Sequence, residues 1–283
     1  MNTAPRDYEE PPHGLEDLEI DLLLEGIARR YGSDLRGYAR GALRHKLMGT
    51  LVAERLPTIS ALQERVLRDA AAMARVLATL ATNVQGMFRD PGFFLTFRRR
   101  IVPLLRTYPF VRIWLAGCST GEEVYSIAIV LAEEHLSTRV RLYATDMSET
   151  VLAQAKAGTY GADLLQPFET SYLEAGGRRT LTDYCTIGRD GMTLSSSLRD
   201  NVIFGQHDLA TDRSFNEFNV ILCRNVTIHF GLALRRRVHD LLRESLCRLG
   251  ILGLGAHESL RGSGHEDRYE VLDPAARLFR RLG

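Results

Sequence analysis

The chain of 283 residues carries no excess of either charge: 36 Lys and Arg stand against 35 Asp and Glu, a formal net charge of +1. No global field therefore recruits nucleic acid or an acidic membrane, and any basic surface must be local. No apolar run approaches the ~20 residues that a membrane span needs, so direct membrane insertion is not expected. The start, MNTAPRDYEEPPHG, has neither the basic stretch nor the apolar core of a signal peptide, and the expected compartment is the cytoplasm. Cysteine is scarce. Cys118, Cys185, Cys223 and Cys247 are far apart and make no metal-ligand pattern, so reduced thiols and no metal are expected. Internal repeats and low-complexity tracts are absent. What remains is ordinary: 45% hydrophobic and 25% charged residues, a soluble globular composition with room for one large domain or a medium and a small one.

Organisation follows from periodicity. Residues 1–14 are polar and Pro-containing and read as a disordered tail. Residues 15–80 read as an all-helical N-terminal domain. Leu15, Leu18, Leu22 and Leu23 recur at helical spacing, Gly32 stops that helix, and Ser33 or Asp34 caps the next. One further helix is predicted from residue 60 through the Ala-rich segment to 80. Residues 81–110 form a linker and a short lead-in helix, with Asp90-Pro91-Gly92 as a turn signal. From 111 to 283 strands and helices alternate, which predicts an α/β fold: a mostly parallel sheet with helices on both faces. Its last helix is expected over about 232–249 and a terminal strand near 271–280. Residues 159–200 break the rhythm at Gly176-Gly177 and Arg189-Asp190-Gly191 and read as a small antiparallel β insertion.

The most informative stretch is VRIWLAGCSTGEEVYS, residues 111–126. An apolar strand breaks at a Gly-containing turn and runs at once into a helical pattern, the first crossover of a nucleotide-binding fold. Ser119 and Thr120 each stand three residues before a glutamate, Glu122 and Glu123, the spacing of a capping box. Two carboxylates at this helix start repel a pyrophosphate. They suit a cofactor with sugar hydroxyls and a cationic end, which S-adenosylmethionine (SAM) has. Asp146, closing the second strand, is the acidic partner for ribose hydroxyls or else a cap for the next helix. Ligands of open α/β sheets bind at the carboxyl ends of strands, where Asp146, Asp208-Leu209 and Arg224-Asn225 also fall. His207 beside Asp208 reads as a structural imidazole, because adjacent strand side chains point to opposite faces.

GCSTGEEVYSIA, YATDMSETVLAQAKAGTY, ILCRNVTIHF and GLGAHESL resemble the signature segments of the chemotaxis receptor glutamate methyltransferases, the CheR family. The resemblance covers nearly the whole chain. It implies a Rossmann-like class I SAM-dependent methyltransferase domain with a small antiparallel β insertion, preceded by the all-helical domain. It implies transfer of a methyl group from SAM to glutamate carboxylates on the cytoplasmic helices of membrane chemoreceptors, with S-adenosylhomocysteine as product. A monomer, no nucleic acid and no metal go with that reading. By match to the family's motifs, cofactor contacts fall on Asn83, Gln85, Arg89, Glu123, Asp146, Asp208, Leu209, Arg224 and Asn225. Arg89 and His229 are the candidate catalytic residues: Arg89 forks onto a carboxylate of SAM or substrate, with an ion pair to Asp90 as the alternative. No nucleophile and base pair is expected, because a glutamate carboxylate is already deprotonated at neutral pH.

Two positions depart from the family. His229 stands where a tyrosine near the transferred methyl is usual, and Gln85 where threonine is frequent. A histidine there predicts a pH dependence between roughly 6 and 7 that a tyrosine enzyme lacks. The alternative function is a SAM-binding adaptor of a chemosensory pathway with impaired turnover. Arg36, Arg40 and Arg44 recur every fourth residue, so one helix would align them as a docking stripe for an acidic receptor helix, or as a solvated face neutralised by acids such as Glu54.

Overall fold

A computed structural model describes residues 14–81, 86–189 and 191–283. Four helices come first: α1 (Leu15–Tyr31), α2 (Arg40–Glu54), α3 (Ile59–Arg68) and α4 (Ala70–Ala81). Helix α1 buries Ile20, Leu23, Leu24 and Ile27. Of the leucines that recur at helical spacing, Leu23 is buried and Leu15, Leu18 and Leu22 are exposed. Gly32 ends α1 in the left-handed region at φ 76°, its N–H on the carbonyl of Ala28. The next helix starts at Arg40, beyond the predicted caps. The carboxylate of Asp34 is taken by the backbone N–H and guanidinium of Arg36. The single helix predicted over 60–80 is two. Its pattern breaks at Asp69, which leaves helical geometry and accepts the N–H of Ala71 at 2.8 Å, capping α4.

Helical turns α5 (Pro91–Thr96) and α6 (Val102–Leu105), joined by a π-helical turn at Phe97–Ile101, lead into the sheet. The strands are β1 (Val111–Ala116), β2 (Val140–Asp146), β6 (Val202–Gln206), β7 (Phe218–Cys223), β8 (Leu246–Leu254), β9 (Tyr269–Asp273) and β10 (Leu278–Arg281). Their order is β6-β2-β1-β7-β8-β10-β9. The first five are parallel, while β10 runs antiparallel to β8 and to β9. The single terminal strand predicted near 271–280 is thus a hairpin. Helices α7 (Glu122–Glu133), α8 (Glu149–Ala157) and α11 (Leu232–Ser245) are the crossovers. Helix α11 stops four residues before the predicted end. Its last residues enter β8, whose register against β7 shifts where Leu249 takes a positive φ of 62°.

Between β2 and β6 lies a three-stranded antiparallel sheet, β3 (Thr159–Tyr160), β5 (Gly191–Leu194) and β4 (Cys185–Gly188), ordered β3-β5-β4. It also holds helix α9 (Leu165–Glu174), which the sequence reading missed, and α10 (Ser196–Arg199). Thr180 and Asp183 close a capping box over a 3-10 turn, Leu181–Tyr184, within the predicted β insertion. The core falls into three clusters, one on each face of the large sheet and one inside the helical block. Trp114 is fully buried on the second face, its indole N–H donating to Thr145 Oγ1 at 2.8 Å. Among the described residues no helix is long and apolar enough to cross a membrane.

Candidate functional site

A cleft opens at the carboxyl ends of the parallel strands. Gly117 after β1, Asp146 and Met147 at the end of β2, His207, Asp208 and Leu209 after β6, and Val226, His229 and Phe230 after β7 line it. Tyr38, Leu80 and Ala81 of the helical block close the other side. The order β2-β1-β7 puts the switch point of the sheet here, because the chain leaves β1 to one side first and to the other later.

The turn after β1 is shaped by backbone rather than by side-chain caps. Gly117, Ser119 and Gly121 all take positive φ, at 73°, 48° and 92°. A Cβ on Gly117 would lie 2.6 Å from Val226 Cγ2 on the opposite wall. The predicted capping box does not form. The N-cap of α7 is Gly121, the Thr120 hydroxyl donates to Glu122 at 2.7 Å, and the backbone N–H of Ser119 donates to Asp146 Oδ2 at 2.9 Å. Asp146 also accepts the N–H of Ser148 at 3.1 Å, so one carboxylate braces the lead into α8 and the β1 turn and lines the cleft. Burial pushes its carboxyl up to about 6, against those two donors. Burial likewise raises Asp208, whose Oδ1 accepts the N–H of Ala210 at 2.8 Å.

Arg224 and Glu123, both expected on the cofactor, bind each other. Arg224, its side chain 1% exposed, donates to Glu123 Oε2 at 2.6 Å and to Asp90 Oδ2 at 2.9 Å, and it stacks 3.9 Å from the ring centre of Phe93. The carbonyl of Arg89 accepts from Arg224 at 3.4 Å. This knot, buried at Arg224 and open at Asp90, fastens the junction at 89–90 to the start of α7. Asn225, also buried, has a left-handed backbone at φ 60°. Of the expected contacts, Asp146, Asp208, Leu209 and His229 meet on the cleft. Arg89, Glu123, Arg224 and Asn225 are not among its described lining residues, and Asn83 and Gln85 lie outside the described residues.

The sequence reading overlooked Glu258. Its buried carboxylate accepts four backbone N–H groups at 2.6–2.9 Å, from Asn225, Val226, Thr227 and Gly255, plus the Thr227 hydroxyl at 2.8 Å. It sits in the quoted segment GLGAHESL, but only the folded loop shows what it holds. His229 follows on the 3-10 turn Thr227–His229, with its Nε2 buried and unpartnered among the described residues. Burial, and then the Lys46 charge, push His229 below its ordinary value, while the Glu258 charge pulls the other way. Burial lowers Lys46 itself to about 8. His207 is a structural imidazole: it packs edge-on against Trp114 at 5.3 Å, and its Nε2 lies 3.0 Å from the carbonyl of Arg213.

The arginine stripe is not one helix face. Arg36 lies before α2, bound to Asp34 at 2.9 Å and Glu25 at 2.8 Å. Arg40 binds Asp17 and Asp21, at 3.1 and 2.6 Å, and Arg44 binds Glu16. The acids of α1 and the Asp34 turn balance these charges, whereas Glu54 is engaged by Arg65 and Arg75.

The cleft suits a cationic ligand with hydroxyl groups. Two carboxylates face it, and no Lys or Arg is among its described lining residues. An acidic, phosphate-averse site at the switch point fits SAM. Residues 83–276 match the family model described as CheR methyltransferase, SAM binding domain. A Cher3 protein of Pseudomonas putida is 45% identical over 265 residues, 94% of this chain and 97% of that one. The chemotaxis protein methyltransferase of Listeria monocytogenes is 26% identical over 87% of this chain and 92% of its own length. Chemotaxis protein methyltransferase 1 of Pseudomonas aeruginosa is 30% identical over 70% of this chain and 73% of its own. The chain belongs to the CheR methyltransferase family and is a SAM-dependent methyltransferase of class I fold.

Proposed function

We propose that the protein methylates glutamate side-chain carboxylates on the cytoplasmic helices of membrane chemoreceptors. The observation that carries this reading is a cleft with carboxylates on the cofactor side and, among its described lining residues, no general base paired to a nucleophile, within a chain of this family. Bound there, SAM would supply an electrophilic methyl group to the glutamate carboxylate, the C–O bond forming as the C–S bond breaks, to give a methyl ester and neutral S-adenosylhomocysteine. Asp146 and Asp208 hold the adenosyl hydroxyls and the cationic end. The knot of Arg224, Glu123 and Asp90 fixes the backbone that carries Arg89, so that its guanidinium meets a carboxylate. His229, neutral at pH 7, donates one hydrogen bond beside the reacting carboxylate. The walls from Tyr38 and Phe230 exclude water from a nucleophile that needs desolvation rather than deprotonation. Because α1 acids balance Arg36, Arg40 and Arg44, receptor recognition by that stripe has no support in the geometry.

The test uses purified protein, SAM with a labelled methyl group, and membranes containing chemoreceptors. Label on a receptor-sized band, released as methanol by mild base, is expected. SAM binding without any label would replace this reading with the adaptor. Label stable to base would move the acceptor from carboxylate to another group.

A further inference from the structure

The helical block reaches the cleft through the short segment 37–39. Ala39 donates its N–H to the carbonyl of His229 at 2.8 Å, and Gly231 donates to the carbonyl of Gly37 at 2.8 Å. Tyr38 and Phe230 pair as an antiparallel bridge between these bonds, and their rings meet edge-on at 5.0 Å. A Cβ on Gly37 would come within 2.9 Å of Leu234 Cβ, and one on Gly231 within 3.0 Å of the Gly37 oxygen. The approach is close because both residues are glycine. It fixes Tyr38 in place.

The Tyr38 hydroxyl reaches across to Met147 Sδ at 3.4 Å, its one hydrogen-bond partner among the described residues. Met147 follows Asp146 directly. A thioether is a weak acceptor, so a good O–H donor is held at the cleft on a poor partner. Burial, with the Asp146 and Asp208 charges, raises the phenol above its ordinary pKa, and it stays a donor at any working pH.

We propose that Tyr38 is a further cofactor-binding residue, whose hydroxyl leaves Met147 to donate to an acceptor atom on the adenosyl part of SAM. The assignment rests on the cofactor cleft described above. The adenosyl side follows from placement, since the hydroxyl lies at the end of β2, beside the residue after Asp146. A donor already fixed by two backbone bonds loses little freedom on binding.

Calorimetric titration of S-adenosylhomocysteine into the full chain tests it, with melting curves for wild type, Tyr38→Phe and Asp146→Asn. Tyr38→Phe keeps the ring against Phe230, so its melting temperature should match the wild type while Kd rises roughly three- to tenfold. An unchanged Kd overturns the proposal. So does an unchanged Kd with a raised KM for receptor, which would give the hydroxyl to the methyl acceptor. A wild type that binds no S-adenosylhomocysteine, or Asp146→Asn without effect, overturns the cleft assignment and Tyr38 with it.

Discussion

Asp146 serves three elements, and its titration should report cofactor binding. Burial pushes its carboxyl up to about 6, and a cationic ligand favours the ionised form. Binding therefore expels a proton at acid pH. The Kd for SAM is expected to be flat above pH 7, to rise as pH falls through 6, and to be about tenfold weaker near pH 5. Asp146→Asn should bind more weakly and without that slope; calorimetry across the range decides, and a sloped variant counts against the assignment. The sequence reading placed the His229 titration between roughly 6 and 7; burial and Lys46 lower it from its ordinary value, toward the acid end of that window. At saturating SAM, the rate ratio of wild type to His229→Tyr should hold constant above pH 7 and change below 6.5. A constant ratio over the whole acid limb would remove His229 from the reacting centre.

At the scale of elements, the loop from Asn225 to His229 is held by a carboxylate from the turn after β8, which meets four N–H groups and one hydroxyl. Glu258→Gln keeps the size but turns an amide NH2 toward donors, leaving buried N–H groups unpaired. A loss of roughly 3 kcal/mol follows, or about 5–10 °C in Tm for a chain of this size. S-adenosylhomocysteine affinity should fall as well, because Val226 and His229 lose their anchor. A variant that melts and binds like the wild type would show the loop to be held otherwise. Such arrangements mark the boundary of what a sequence discloses. The β1 turn and Asp146 were legible, since strand periodicity, two glycines and an acid at a strand end are local signals. The break at Asp69 was not, because the helical pattern runs through it and a side-chain cap decides. Glu123 and Arg224 were singled out in the sequence, yet their pairing across 101 positions depends on the sheet order.

At the scale of the whole molecule, the helical block is part of the site rather than an appendage to it. Its segment 37–39 shares backbone hydrogen bonds with the loop after β7, and Tyr38, Leu80 and Ala81 form one wall of the cleft. No sequence motif announced this, because Gly37 and Gly231 stand 194 positions apart and neither lies in a helix or strand. The seam can be opened at one point. A valine at Gly37 would drive its Cβ into Leu234, 2.9 Å away, where side chain meets side chain at a rigid helix start. The helical block keeps its own core of Ile20, Leu47, Leu62 and Val76, and the sheet keeps both of its faces. Gly37→Val should therefore leave secondary structure intact by circular dichroism while S-adenosylhomocysteine affinity falls about tenfold or more, beyond the loss from Tyr38→Phe. Hydrogen exchange should rise at Ala39 and Gly231, whose N–H groups make the seam, and stay unchanged at β1 and β2. Full affinity with exchange raised at those two sites would show that the cleft binds cofactor without the helical block, and would confine that block to another task.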